Sequence, residues 1–393
     1  MTAKIQNTPQ TRFPQFDTEW REIRLGEITN SITSGSRDWA QYYADEGSKF
    51  IRMTNLPRTG INLLLNDLRY VKLDSNSSEG KRTSLKENDI LISITAELGK
   101  IGIIPPNFGV AYINQHTALI RLDFEQGNAH FVAYKLSSKA MNKKINRLND
   151  SGAKSGLNLP TIRLFPLSIP SLPEQRKIAN FLSSVDKRIE QLTQKKSLLE
   201  QYKKGAMQQI FSQQIRFKDD DGGDFPDWEE KKLGEIADLY QPKTISQTEL
   251  TEEGFTVYGA NGIIGKYHSY NHEKPQVTVT CRGSTCGVVG YTDAFSWITG
   301  NAMVVNLDHQ PESTKHYVYH ALNAADLKYL ITGSGQPQIT GTIKGHKVQV
   351  PSLPEQTKIA NFLSALDRKI ETVASQIAEM QTFKRGLLQQ MFV

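Results

Sequence analysis

The sequence predicts a mixed α/β protein that consists of two similar domains and two long helices. Three observations lead to this prediction. The segment from Pro170 to Glu190 returns almost unchanged from Pro351 to Glu371. Both segments carry apolar residues at the spacing of an amphipathic helix. The regions between them contain short β-branched runs interrupted by glycine, proline and asparagine, which is typical of strands and loops.

The repeated segment is long and well defined. It reads PSLPEQRKIANFLSSVDKRIE in the first copy and PSLPEQTKIANFLSALDRKIE in the second, 181 positions later. At the same offset, KKGAMQQIF ending at Phe211 corresponds to KRGLLQQMF ending at Phe392. Self-similarity at a fixed offset indicates a duplicated structural unit, so each half of the chain ends in the same element.

The two halves also begin alike, although their centres differ. Trp20 leads into REIRLGEI and Trp228 leads into EEKKLGEI, now at an offset of 208, so the first variable region is 27 residues longer. Weak similarity persists inside, as in DILISITAELGKIGII from Asp89 and QVTVTCRGSTCGVVGY from Gln276. We therefore expect both variable regions to share one fold and to carry different surface residues.

Each repeated segment predicts one long helix. A Ser-Leu-Pro-Glu start suits a helix N-terminus, because proline there costs no hydrogen bond and glutamate favours the positive helix end. The apolar stripe suits coiled-coil packing, and its core positions are Ile178, Leu182, Val185, Ile189, Leu192, Ile359, Leu363, Leu366, Ile370 and Val373. Lys196 and Lys203 interrupt the first stripe, and could mark a register device, a helix end or a contact with another subunit.

The organisation along the chain follows from these elements. FKDDDGGDFPDW, from Phe217 to Trp228, is charged and glycine-rich, which is typical of a flexible linker. The predicted domains are a first domain at 1–170, a first spacer helix at 171–216, a linker at 217–227, a second domain at 228–351 and a second spacer helix at 352–393.

Composition excludes several classes of protein. A net charge of +6 favours a polyanionic partner only mildly. The N-terminus lacks a signal-peptide pattern and no long apolar run follows, so we expect a soluble, cytoplasmic protein without a membrane partner. Cys281 and Cys286 are too few for a tetrahedral metal site and are expected to be reduced thiols. The acidic run from Asp219 to Asp224 lacks the context of a nuclease site.

The chain resembles the specificity subunits of type I restriction-modification systems. The resemblance rests on the PxLPEQxKIAxFL segment that opens a long helix twice, the Trp and LGE start that occurs twice, and the divergent regions between them. It covers nearly the whole chain.

The resemblance implies a division of labour. Each variable region would be a target recognition domain that reads one half of a bipartite site in double-stranded DNA. The long helices would pack antiparallel, hold the domains apart and bind two modification subunits. S-adenosylmethionine would belong to those subunits, and ATP, Mg and cleavage to the restriction subunits. This chain would bind no cofactor and no metal, and would have no catalytic residue.

Loops supply the candidate DNA-reading residues, because base edges are recognised by side-chain donors and acceptors in the grooves. In the first domain they are Ser36, Arg37, Tyr42, Arg52, Asn55, Lys100, Gln115, His116, Lys154 and Ser155. In the second domain they are Tyr258, Asn261, Lys266, Tyr267, Arg282, Ser284, Thr285, Asn301, Gln336 and Gln338. Any one of them could instead be a solvated or turn-forming residue.

Two other functions remain open at this point. A coiled-coil scaffold would assemble proteins without reading DNA. An autonomous DNA-modifying enzyme would need a cofactor loop and an Asn/Asp-Pro-Pro-aromatic segment, whereas the chain offers only IIPPNFG, from Ile103 to Gly109.

Overall fold

The computed structural model describes residues 9–73, 80–147, 156–310, 313–333 and 335–392. The chain forms two compact units, and the division falls within both long helices. Unit 1 comprises Met1–Leu192 and Gln376–Val393, and unit 2 comprises Thr193–Ser375. Each unit therefore contains one variable region and one segment of each long helix.

Unit 1 contains ten strands, three short helices and parts of the long helices. Its strands are β1 (Arg21–Arg24), β2 (Thr29–Ser34), β3 (Tyr43–Ala44), β4 (Ser48–Ile51), β5 (Arg69–Val71), β6 (Ile90–Ser93), β7 (Ile101–Ile103), β8 (Ala111–Ile113), β9 (Thr117–Leu122) and β10 (Pro166–Ile169). Its helices are α1 (Ala129–Ser137), α2 (Lys139–Arg147), α3 (Leu159–Arg163) and the first half of α4 (Leu172–Phe211).

Unit 2 is built on the same plan with fewer elements. Its strands are β11 (Glu229–Lys232), β12 (Asp238–Tyr240), β13 (Phe255–Gly259), β14 (Gly262–Tyr267), β15 (Val277–Thr280), β16 (Val289–Tyr291), β17 (Trp297–Ile298), β18 (Ala302–Asn306) and β19 (Lys347–Val350). Its helices are α5 (Leu233–Ile236), α6 (Lys315–Ala324) and the first part of α7 (Leu353–Gln390).

Both units contain the same central antiparallel sheet. The strand order is β2-β9-β6-β7 in unit 1 and β12-β18-β15-β16 in unit 2. A second sheet in each unit includes one parallel pair, β4 with β8 and β13 with β17. The expectation that the two variable regions share one fold is thus met by strand order as well as by weak sequence similarity.

The long helices take part in the cores of the units. In unit 1, Ile178, Leu182 and Val185 pack in one apolar cluster with Leu387 and Met391. The two helix segments run antiparallel, because Asp186 pairs with Lys384 while the start of α4 lies beside Gln390 through the N-terminal segment.

Unit 2 repeats this arrangement. Ile359, Leu363 and Leu366 pack with Met207 and Ile210. Of the other predicted stripe residues, Leu192 and Val373 are buried and Ile189 and Ile370 are half-buried.

The repeated Pro-Glu-Gln sequence has a structural explanation. In unit 1, the buried carboxylate of Glu174 accepts two hydrogen bonds from Arg12 at 2.7 Å and one from the Trp20 indole at 3.4 Å. Gln175 donates to the Pro170 carbonyl at 3.0 Å and accepts from the backbone of Asn128, the N-cap of α1, at 2.9 Å. The start of α4 is thereby tied to the domain that precedes it.

The same contacts recur at the start of α7. Glu355 accepts from Arg216 at 2.7 Å and from the Trp228 indole at 2.9 Å, and it is fully buried. Gln356 accepts from the backbone of Thr314, the N-cap of α6, at 2.9 Å.

The predicted linker is a packed segment rather than a free one. Phe217 stacks edge-on against Phe362 at 5.8 Å, just as Phe13 contacts Phe181 at 5.8 Å in unit 1. Lys358 on α7 pairs with Asp220 at 2.7 Å. The expectation of a flexible acidic linker was therefore wrong in this respect: its charges are used against the helix that follows.

Candidate nucleic-acid interface

Three loops meet at one end of the central sheet in each unit, and we call this arrangement the three-loop cluster. In unit 1 it comprises 94–100 between β6 and β7, 114–116 between β8 and β9, and 156–157 ahead of α3. In unit 2 it comprises 281–288, 299–301 and 337–339. Loops at a sheet end can carry varied side chains on a rigid support.

Backbone hydrogen bonds hold the cluster of unit 1 together. Ile94 donates to the His116 carbonyl at 3.0 Å and accepts from the Leu157 amide at 2.9 Å. A bridge between Thr95 and Gly156 continues the pairing. The loop turns back at Gly99, whose φ of +76° favours glycine and whose amide donates to the Ser93 carbonyl at 3.0 Å.

Unit 2 uses equivalent bonds around different residues. Cys281 donates to the Asn301 carbonyl and accepts from the Ile339 amide, both at 3.0 Å. Arg282 and Gln338 form the bridge that corresponds to Thr95 and Gly156. Two backbones of the same design therefore carry different side chains.

The side chains of the unit 1 cluster form a polar network. The His116 ring lies 2.8 Å from the Thr95 hydroxyl and 3.1 Å from the Gln115 amide nitrogen. Lys100 pairs with Glu97 at 2.7 Å. Hydrogen bonding to Lys100, and then to Arg58, lowers the pKa of Glu97, so the carboxylate stays ionised. A bridge from Ser36 to Asn114 brings the exposed Arg37 to the same region.

The unit 2 cluster is pinned to the turn of a hairpin. The Thr285 hydroxyl lies within hydrogen-bonding distance of the Ala260 carbonyl at 3.2 Å and of the Asn261 amide oxygen at 2.8 Å. Thr280 donates to the same carbonyl at 2.8 Å. These contacts line one side of a cavity of about 460 Å³ whose other wall includes Tyr258.

Several predicted residues lie in or beside the clusters. In unit 1 they are Ser36, Arg37, Lys100, Gln115 and His116. In unit 2 they are Tyr258, Asn261, Arg282, Ser284, Thr285, Asn301, Gln336 and Gln338. Arg282, Ser284, Gln336 and Gln338 are exposed, which leaves their donors and acceptors accessible. Tyr258 donates to Asp293 at 2.8 Å, and burial raises the pKa of its hydroxyl.

Other predicted residues do not join the clusters. Asn55 is buried, and its amide bonds the backbone of Arg52, Leu64 and Asp67, so the prediction that it reads a base was wrong: it stabilises its own loop. Arg52 pairs with Asp67 at 2.7 Å.

The remaining aromatic and basic candidates are also accounted for. Tyr42 packs edge-on against Trp39, and Tyr267 packs against Trp297 at 4.9 Å. Lys266 lies further along β14 from the hairpin turn, opposite Thr256. Lys154 and Ser155 lie outside the described residues.

Sequence reasoning missed some members of the unit 1 cluster. Thr95 contacts His116, and Arg58 pairs with Glu97 at 3.1 Å. Matching DILISITAELGK with QVTVTCRGSTCG would have placed Thr95 opposite Arg282 and identified it.

The described parts of the chain offer no alternative chemistry. They contain no group of three or more His, Cys, Asp or Glu residues that could hold a metal ion. Cys281 is buried and Cys286 half-buried, both are free, and burial raises the pKa of both thiols. Within those same residues, no helix is long and apolar enough to cross a membrane.

A sequence profile of the family described as type I restriction modification DNA specificity domain matches residues 17–201 and 226–382. The chain belongs to this family. As a specificity subunit, it is a DNA-recognition component of a type I restriction-modification complex and has no catalytic site of its own.

Individual relatives agree with this assignment. The MjaVIII specificity subunit of Methanocaldococcus jannaschii is 23% identical over 436 residues, which span 98% of this chain and 95% of the relative. A Mycoplasma pneumoniae protein that bears the name type I specificity subunit S.MpnORF507P is 27% identical over 281 residues, spanning 68% of this chain and 72% of that protein.

The crystal structure of a type I S subunit from M. genitalium confirms the fold class. It has a TM-score of 0.69 at 18% identity, and the match covers 98% of this chain and 99% of that one. The predicted fold, with two similar domains and two long helices, is therefore confirmed for the specificity subunit.

Proposed function

We propose that each unit of the specificity subunit reads one half of a bipartite site in double-stranded DNA through its three-loop cluster. In this proposal the recognition domains are residues 1–170 and 228–351. Reading directs adenine methylation and cleavage by two modification subunits and by restriction subunits. Those partners bind S-adenosylmethionine, ATP and Mg, and the assembly works in the cytoplasm.

One observation carries the proposal. The two clusters have the same backbone hydrogen bonds but different side chains at matching positions, such as Thr95 and Arg282, or His116 and Asn301. Because groove recognition depends on which donors and acceptors meet the base edges, a common support with different side chains suits two half-sites of different sequence.

Charge supports the same use of these loops. Arg37 and Arg282 are exposed on the clusters of unit 1 and unit 2. A guanidinium can bond guanine at two atoms or contact a phosphate oxygen. The exposed amides Gln336 and Gln338 in unit 2 match the donor and acceptor pair of adenine.

The test is single-molecule detection of N6-methyladenine across the genome of cells that express this chain with its cognate modification subunit. We expect one bipartite motif with the wild-type chain and none without it. Arg282→Ala should weaken or relax only one half of the motif, and Arg37→Ala only the other. A base contact of this kind is worth about 1–3 kcal/mol.

Arg176→Ala serves as the matched control, since Arg176 is exposed on α4 away from both clusters. An unchanged methylation pattern in cells lacking the chain, despite stable association of the proteins, would favour a scaffold that does not read DNA. If both arginine variants affected the same half of the motif, the assignment of one half-site to each unit would be wrong.

A further inference from the structure

The C-terminal parts of α4 and α7 share a feature that neither domain uses. Each carries an exposed aromatic residue three positions before a glycine, in EQYKKGAMQQIF and QTFKRGLLQQMF. Tyr202 is 57% exposed and Phe383 is 50% exposed. Single apolar residues on a surface are common, but the same large side chain at the same place in both copies calls for a common cause.

Neighbouring contacts hold these aromatic side chains outward. In unit 2, Lys203 pairs with Asp367 on α7 at 2.5 Å, and Met207 is buried in the core. In unit 1, Lys384 pairs with Asp186 on α4, and Leu387 is buried. One face of each helix segment is therefore fixed against its unit, and the aromatic residue stays on another face.

The two glycines have no steric reason within the described residues. Apart from the backbone of its own helix, no atom lies within 4 Å of the place where a Cβ would be at Gly205 or Gly386. A glycine inside a helix is less stable than alanine, so its presence needs an explanation. Residues three apart lie close together on a helix surface, so each glycine adjoins its aromatic residue. A missing side chain beside an exposed ring suits close approach by another molecule.

We propose that Tyr202 with Gly205, and Phe383 with Gly386, are two equivalent docking sites, each for one modification subunit. The proposal rests on the proposed function and deepens it by naming the contact residues. Each partner would offer an apolar pocket for the ring and a backbone segment that packs against the glycine. It would also carry an acidic rim facing the exposed cation that precedes the glycine, Lys204 in one copy and Arg385 in the other.

The duplication of the site identifies the occupant. One chain presents the site twice, so a partner that uses one site per copy gives a closed assembly of two partners on one chain. Self-association through two such sites would instead favour open chains unless the geometry closes. An aromatic ring beside a glycine also suits an interface hot spot between proteins better than a phosphate contact.

The experiment titrates the full chain with its cognate modification subunit and measures both stoichiometry and affinity by native mass spectrometry. Wild-type chain should bind two copies. Tyr202→Ala and Phe383→Ala should each weaken one of the two binding steps about tenfold or more, and the double variant should weaken both. Phe124→Ala is the matched control, because Phe124 is 51% exposed in unit 1 and lies away from these helices.

Alanine at the glycines separates docking from helix stability. Gly205→Ala and Gly386→Ala should raise the Tm of the isolated chain slightly, since alanine favours the helix. The same changes should weaken binding of the modification subunit, because the added methyl group keeps the partner at a distance. A purely structural role would not give opposite signs in the two measurements.

The outcomes distinguish this inference from the proposed function. If wild-type chain binds no modification subunit, the proposed function fails and this inference fails with it. If wild-type chain and the double variant both bind two copies with equal affinity, only this inference is overturned. It is also overturned if the aromatic variants abolish self-association of the isolated chain and leave the modification subunit bound.

Discussion

Two buried carboxylates show how single residues fix the frame of the specificity subunit. Glu174 and Glu355 are 1% and 0% exposed, and each joins an arginine and a tryptophan indole to the start of a long helix. The hydrogen bond to Glu174 also raises the pKa of Arg12. A buried ion pair contributes most when its partner would otherwise be left unpaired.

Replacing either carboxylate by an amide should destabilise one unit. Glu174→Gln should cost unit 1 about 3 kcal/mol, and Glu355→Gln should do the same to unit 2, because each leaves a partly buried guanidinium without its counter-charge. Urea unfolding followed by tryptophan fluorescence measures this. Glu230→Gln, which breaks an exposed pair with Lys347, should leave the midpoint unchanged. Equal shifts in both cases would contradict the assignment.

One buried histidine makes unit 2 sensitive to acid. His320 is fully buried, its Nε2 lies 3.1 Å from the Ser364 hydroxyl, and its Nδ1 lies 3.9 Å from Asp367. Burial, followed by the nearby Lys203 and His316, lowers the pKa of His320 to about 3. At the matching place in unit 1, the Tyr134 hydroxyl donates to Asp186 at 2.8 Å.

We therefore expect the stability of unit 2 to fall with acidification. The unfolded histidine takes up a proton below a pKa of about 6.5 while the folded one does not. Stability is thus complete above pH 6.5 and declines by up to about 1.4 kcal/mol per pH unit as the pH falls towards 3. His320→Tyr, which copies unit 1, should flatten this slope. Scanning calorimetry at several pH values measures it, and an unchanged slope would rule His320 out.

At the scale of elements, the loops of each cluster depend on neighbouring strands for their shape. In unit 2, the hairpin of β13 and β14 turns at Gly262, whose φ is +83°, and Thr285 binds the turn from the opposite loop. Arranging loop groups before DNA arrives lowers the entropy cost of binding.

Loosening this hairpin should impair one half-site only. Thr285→Val keeps the shape of the side chain but removes the hydroxyl that contacts Ala260 and Asn261. We expect weaker methylation at sites matched by unit 2 and a loss of about 1 kcal/mol in DNA affinity. Thr342→Val, at an exposed position outside the cluster, is the control. Methylation sequencing that shows equal effects from both variants would argue against a role for the turn.

The molecule as a whole combines two readers in one chain. Each unit has its own core and its own cluster, so the binding contributions of the two clusters should be independent. Distant sites without shared partners contribute additively to a free energy.

The double variant Arg37→Ala with Arg282→Ala tests this independence. The fold-loss in affinity of the assembled complex for its target should equal the product of the losses for the single variants, within about 0.5 kcal/mol. Fluorescence anisotropy at several salt concentrations measures it. Each arginine that contacts a phosphate should also reduce the salt dependence by about one ion, whereas a base-reading arginine should relax specificity. A strong departure from the product would indicate coupled readers.

Much of the frame follows from the sequence alone, because it is written twice. The duplicated PSLPEQ segments predict both helix starts, at Leu172 and Leu353, and the apolar stripe predicts the buried faces. Periodicity reports which residues leave water, and a helix start depends on nearby residues, so both are local properties.

Only the tertiary structure decided how polar residues are used. Glu174, Lys203 and Asn55 each read as a helix-start, stripe-breaking or base-reading residue, yet each is engaged by a partner distant in sequence or by its own loop. The same is true of the clusters, where Thr95 and His116 meet only through strand pairing. Sequence pattern determined the two-unit design of this protein, whereas the choice of exposed readers depended on long-range contacts that consume some polar groups and leave others accessible.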